Sequence, residues 1–241
     1  MRTGIVVQAR MSSTRLPGKV LKELPKGSGI TVVERVVTRV RRAHSADDVV
    51  VATSTAPGDD LIAEQARALG VKCFRGSLDD VLGRFVGAVE MYGLDRVIRI
   101  TCDCPCVDPA VIDAAAALHE RTGADYTSNV VPRTFPKGLD VEVIEATALK
   151  RVDAEARCIE DREHVLTYVY RTRPDRFHIA NLEAPPELTD PELRVTLDTQ
   201  ADYSVLCAVY EGLGHDFDTA ALLGFIGAHS QLRLVGCSEE E

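Results

Sequence analysis

Between residues 8 and 19 the sequence reads Gln8-Ala9-Arg10-Met11-Ser12-Ser13-Thr14-Arg15-Leu16-Pro17-Gly18-Lys19. Two arginines, a lysine, three hydroxyls and a glycine stand close together. Such a set suits a polyphosphate: arginine forks grip oxygen pairs, lysine acts as a point charge, and small residues expose backbone N–H groups. The stretch is not a Walker A loop, because G-x-x-x-x-G-K-[ST] is absent. Read from composition alone, it is equally a solvated basic loop. Two distant aspartates, Asp103 and Asp198, each follow a short apolar run. Mg²⁺ is commonly held by one or two carboxylates together with substrate phosphates. Either aspartate alone also reads as a turn former or a helix N-cap.

These residues need elements to bring them together. Gly4–Ala9 and Asp48–Thr53 are short β-branched runs, the pattern of buried parallel strands. Val71–Phe74 is a third strand and Arg96–Thr101 a fourth. The spacing predicts helices over Thr31–His44, Asp59–Leu69, Leu78–Tyr92 and Pro109–Arg121. Thr31 and Glu34 fit a capping box, Gly70 stops the second helix and Pro109 opens the fourth. Strands alternating with helices imply an α/β protein with a mostly parallel sheet. Ligands of such sheets lie beyond the carboxyl ends of the strands. That rule selects the loops Arg10–Lys19, Ser54–Asp59 and Cys102–Asp108. The proline-rich stretch of about 126–193 breaks the pattern. It reads as an inserted acceptor-facing or dimerisation region, with strands at Leu139–Ile144 and Phe177–Leu182 and a helix at Asp161–Arg171. Leu193–Leu197 resumes a strand ending at Asp198. Gln200–Gly212 and Asp218–His229 are closing helices, and the tail Ser238–Glu241 is expected to fray. The whole chain, 1–241, reads as a single domain.

The formal net charge of −9 argues against binding a nucleic acid backbone. No apolar run is long enough to span a membrane, and the first residues lack a signal-peptide layout, so a cytoplasmic protein is expected. Seven cysteines, an odd number, suggest free thiols. Cys102, Cys104 and Cys106 form a C-x-C-x-C run. Zinc sites favour C-x₂₋₄-C pairs and four ligands, so small, partly buried thiols are the preferred reading.

The run VVQARMSSTRLPGKVL resembles the signature of the cytidylyltransferases that make CMP-activated acidic sugars, such as the CMP-sialic acid and CMP-Kdo synthetases. RGSLDDVLGRF, TCDCPCVDP, YTSNVVPRTFPKGLDVEV, REHV and LRVTLDTQADY resemble the branch typified by the spore-coat polysaccharide protein SpsF. The resemblance runs in order from about residue 4 to 210. It implies a three-layer nucleotide-diphospho-sugar transferase fold (GT-A-like, Rossmann-like), with CTP as co-substrate and Mg²⁺ as cofactor. It implies that Arg10, Arg15 and Lys19 hold the triphosphate, with Gln8, Ala9, Ser12 and Ser13 in the same nucleotide-binding loop. Arg10, Lys19 and Asp103 would be catalytic, and Asp103 and Asp198 would bind the metal. Ala52, Thr53, Ser54, Arg75 and Ser77 would line the nucleoside pocket. Asn129, Arg133, Lys137, Asp140, Glu142, Arg162 and His164 would face a small-molecule acceptor. Relatives of this kind are often homodimers. The chain departs from the family pattern at 102 and 106, where Gly and Leu are expected and cysteine stands.

The implied reaction is attack by an acceptor oxygen of a small acidic sugar, phosphate or phosphonate on the α-phosphorus, releasing pyrophosphate. One alternative is a GT-A-type glycosyltransferase using a nucleotide sugar. The basic cradle and the lack of a D-x-D motif weigh against it. Another is a nucleotide-binding protein without turnover.

Overall fold

Alternation along the first strand sets the layers. β1 (Thr3–Gln8) sends Ile5 and Val7 into one apolar cluster and Val6 into another on the opposite face of the sheet. β2 (Asp48–Ser54) and β4 (Arg96–Thr101) flank it in parallel, and β3 (Lys72–Gly76) adds to the outer side of β2. The computed structural model describes residues 1–237 and orders seven strands β3-β2-β1-β4-β6-β5-β7. β6 (Glu142–Glu145) runs antiparallel to β4 and to β5 (Tyr126–Ser128), while β7 (Ile179–Asn181) is parallel to β5.

Helices cover both faces. α1 (Val32–Val40) buries its valines in the cluster that holds Ile5. Thr31 caps it, accepting from the Glu34 N–H at 3.2 Å. α2 (Asp60–Ala68) follows β2, and Gly70 beyond it takes φ +65°. α3 (Val81–Tyr92) packs on the other face, where Val81, Leu82 and Phe85 meet Val6 and Ala52. α4 (Pro109–Thr122) is capped by Asp108. α5 (Ala146–Glu155) and α6 (Ile159–His164) join the α3 side. α7 (Gln200–Leu213), α8 (Thr219–Ala228) and α9 (Ser230–Cys237) close the chain.

Three expectations need correction. The region 126–193 supplies β5, β6 and β7 to the main sheet. The helix expected over Asp161–Arg171 ends at His164, because Val165 adopts φ +64° and breaks it; a π-helical turn, Tyr168–Thr172, follows. Leu193–Leu197 is an extended segment carrying one parallel bridge, Arg194 to Lys137, and is no full strand. Ser238–Glu241 lies outside the described residues. Among the described residues, no helix is long and apolar enough to cross a membrane.

Candidate active site

β1 and β4 are adjacent, yet the chain leaves them toward opposite edges of the sheet, β1 to β2 and β4 to β5. A crevice opens at their carboxyl ends, as expected for such a switch point. It is a cavity of about 460 Å³. Its wall includes Gln8, Ala9, Arg10, Ser12, Ser13, Arg15 and Lys19 from the first loop, with Asp103 and Asp198 opposite.

The loop is pinned from inside. Leu16 and Val20 are buried in the core, and the Met11 N–H donates to Asp59 Oδ1 at 2.8 Å. Gly18 sits at φ +68°, a conformation natural to glycine, just before the short helical turn that carries Lys19. The Lys19 ammonium then finds three acceptors for its three protons. They are Asp103 Oδ2 at 3.1 Å, Asp198 Oδ1 at 2.8 Å and the Leu197 carbonyl at 2.7 Å. Arg15 approaches the same Asp198 oxygen at 3.4 Å, and Arg194 holds the other at 3.1 Å. Arg10 bonds Glu163 at 3.0 Å across the cavity. Burial works against the charge on Lys19, but Asp103 and Asp198 outweigh it and raise its pKa above the ordinary lysine value. Burial likewise pushes Asp198 up, and Lys19 more than offsets this, leaving its carboxyl below the usual range.

The donor set fits a hard divalent cation. Two carboxylates converge on one point that already attracts a positive charge, and phosphate oxygens and water would complete an oxygen shell there. Lys19 would release at least one carboxylate to such an ion.

The β4 loop is braced from behind. Arg39 donates to the carbonyls of Val107 at 2.6 Å, His215 at 3.0 Å and Phe217 at 2.8 Å. Asp108 accepts from the Thr219 N–H and hydroxyl, and Tyr210 donates to the Pro105 carbonyl. Cys102, Cys104 and Cys106 are buried here, and desolvation raises all three thiols, Cys106 to about 12. Cys102 stands where the resemblance led us to expect Gly, yet among the described non-glycine residues only Val165 has positive φ. The loop accepts a side chain at 102 without backbone strain.

Other expected site residues are spread more widely. Lys137, Asp140 and His164 line the cavity. Arg133 lies behind Asp140, bonding both carboxylate oxygens at 2.5 and 3.0 Å. Buried Asn129 is committed to the Leu139 carbonyl and the Val141 N–H. Glu142 pairs with Arg99 and accepts from Tyr126 at 2.6 Å. Arg162 staples Asp80, the α3 cap, to Asp153 and lies outside the wall. Ala52, Thr53 and Ser54 are fully buried, with Ser54 bonded to Asp59. Arg75 holds the Ser54 and Ala56 carbonyls and pairs with Asp60, and Ser77 gives its carbonyl to Arg84. None of these five borders the cavity. Arg84, Arg99, Glu163 and Thr196 do border it, and sequence reading did not single them out. A lone arginine inside the apolar run VLGRFVGAV, and another inside RVIRIT, were the available signals.

A family model described as cytidylyltransferase matches residues 4–211. The chain is 37% identical over 222 residues to the spore coat polysaccharide biosynthesis protein SpsF of Bacillus subtilis (strain 168), spanning 90% of this chain and 89% of that one. It is similar to the structure of a cytidylyltransferase from Leptospira borgpetersenii serovar Hardjo-bovis (strain JB197), with a TM-score of 0.89 at 31% identity over 97% of each chain. A CMP:2-keto-3-deoxy-manno-octonic acid synthetase complexed with CTP shares the fold, with a TM-score of 0.66 at 15% identity over 88% of this chain and 99% of that one. These likenesses set the glycosyltransferase alternative aside. With the family model spanning most of its length and both a similar relative and a similar solved structure beside it, the chain belongs to the cytidylyltransferase family of CTP-dependent nucleotidyltransferases.

Proposed function

We propose that this chain transfers CMP from CTP to a small acidic sugar, phosphate or phosphonate acceptor, with Mg²⁺ as the metal and release of pyrophosphate. The observation that carries the reading is the Lys19 ammonium clasped by Asp103 and Asp198, which lie 84 and 179 residues away in sequence. Residues so remote converge beside a basic loop at the switch point of the sheet.

In this reading Arg10, Arg15 and Lys19 bind the phosphates and stabilise charge growing on the leaving pyrophosphate. Asp103 and Asp198 hold the metal, which neutralises phosphate charge and polarises the α-phosphorus when bound. The acceptor oxygen forms a bond to the α-phosphorus as the bond to the bridging oxygen breaks. A hydroxyl acceptor gives its proton to His164. Lys137 and Asp140 orient the acceptor, and alignment supplies much of the acceleration. The protein acts as a cytoplasmic homodimer, independent of nucleic acid and membranes.

Pyrophosphate release from CTP, followed across a panel of sugar acids, phosphates and phosphonates, tests this. Asp103→Ala and Asp198→Ala are each expected to lower kcat about a hundredfold or more, the scale of losing a preorganised charge partner. Full activity in Asp103→Ala sinks the metal role.

A further inference from the structure

We propose that Arg84 is a substrate-binding residue whose buried guanidinium, beside Arg10 in the cavity wall, takes an anionic oxygen of the bound nucleotide. The inference rests on the CTP reading above. Arg84 is 1% exposed, and its Nη1 donates to the Ser77 and Leu78 carbonyls at 3.1 and 3.3 Å. Its Nε, also buried, has no hydrogen-bond partner. No carboxylate pairs with it among the described residues. A buried charge of this kind is costly unless something neutralises it.

Among the other buried arginines, Arg39 is saturated by carbonyls, Arg96 and Arg194 pair with carboxylates, and Arg35, whose Nη2 is also unbonded, lies outside the cavity wall. Arg84 alone combines, among the described residues, near-complete burial, an unbonded nitrogen and a place in the wall. Burial first, and then the neighbouring Arg10, depress its pKa, and Asp59 and Asp80 offset this only in part. An anion held by both cations would relieve their mutual repulsion.

The neighbouring Arg10 of the basic loop points to the nucleotide as the source of the anion. Arg84 rides on α3, which packs against β3, β2 and β1 and also against α5 and α6, the bearer of His164. Lys137 and Asp140 precede β6, on the other half of the sheet. Gly76 keeps the place open, since a Cβ there would come within 3.0 Å of Arg84 Cγ.

Calorimetric titration of CTP–Mg²⁺ and of tripolyphosphate into wild type, Arg84→Met and Arg84→Lys tests the proposal, with the ligand-free melting temperature measured alongside. Arg84→Met is expected to bind both probes about ten- to a hundredfold more weakly, the worth of one charge-assisted contact. Its ligand-free melting temperature should hold or rise, because a costly buried charge has gone. Arg84→Lys keeps a charge for the two carbonyls and serves if the methionine variant does not fold; it should lose affinity in the same direction. Unchanged affinity for CTP overturns the proposal, whether the loss then appears in melting temperature or in the KM for an acceptor. Wild type that binds CTP but releases no pyrophosphate would refute the transferase reading and leave this one standing.

Discussion

At the scale of single residues, Lys19 keeps two carboxylates from facing each other unscreened. Its three protons meet three acceptors, so the protein alone saturates the ammonium's hydrogen bonding. The pH consequences have definite signs. Asp198 has its folded pKa below 3.8, so its contribution is present above that value and is lost as pH falls through the folded pKa. Lys19 has its folded pKa above 10.5, so its contribution is present below that value and is lost as pH rises through the folded pKa. Lys19→Met should therefore flatten both limbs of the stability profile, as read by urea unfolding from pH 3 to pH 11; a variant with wild-type slopes at both ends would refute this. Much of this cluster was legible beforehand, since Arg10, Lys19, Asp103 and Asp198 all sit where strands end. Arg84 and Arg99 were not, because each looks from sequence like a stray polar residue in an apolar run. Only the assembled fold shows that both side chains reach the same cavity.

The elements the sequence concealed are the shortest and the least regular ones. β1, β2 and β4 announce themselves as β-branched runs, but the three residues of β5 give no usable period. Leu193–Leu197 has a strand's composition without a full strand's neighbours, because its ladder is a single bridge to Lys137 and its other long-range backbone bonds go to Asp103 and Lys19. The helix after Ile159 fails for a local reason. Val165, fully buried, holds φ +64° and ψ −58°, and the Leu166 N–H turns back to the His164 carbonyl at 2.7 Å. This is a tight γ-turn, a rare and strained conformation, and a β-branched residue adds to its cost. The turn directly follows Glu163 and His164, two wall residues. At a relaxed buried site, glycine is worse than alanine. Here the order should invert: Val165→Ala retains the strain and loses packing, while Val165→Gly sheds the strain. Val165→Gly should be the more stable of the two by about 1 kcal/mol, as read by thermal unfolding. The usual order would show that the turn carries no such penalty.

For the molecule as a whole, function sits on one end of a mixed sheet, and both apolar layers run up to it. The matched family region stops at residue 211, and every cavity-lining residue precedes that point. The boundary of resemblance is nevertheless no boundary of folding. Arg39 draws two of its acceptors from His215 and Phe217, and Asp108 is tied to Thr219. A chain ending at 211 would keep the whole binding inventory and lose the masonry behind Asp103. It is expected to melt at lower temperature and bind CTP–Mg²⁺ at least tenfold more weakly, measurable by calorimetry; equal affinity would show the closing helices to be ornament. The described residues after 211 are thus the far abutment of an arch whose crown is the carboxylate at 103, and damage there would register at that carboxylate with no residue of the cavity wall altered.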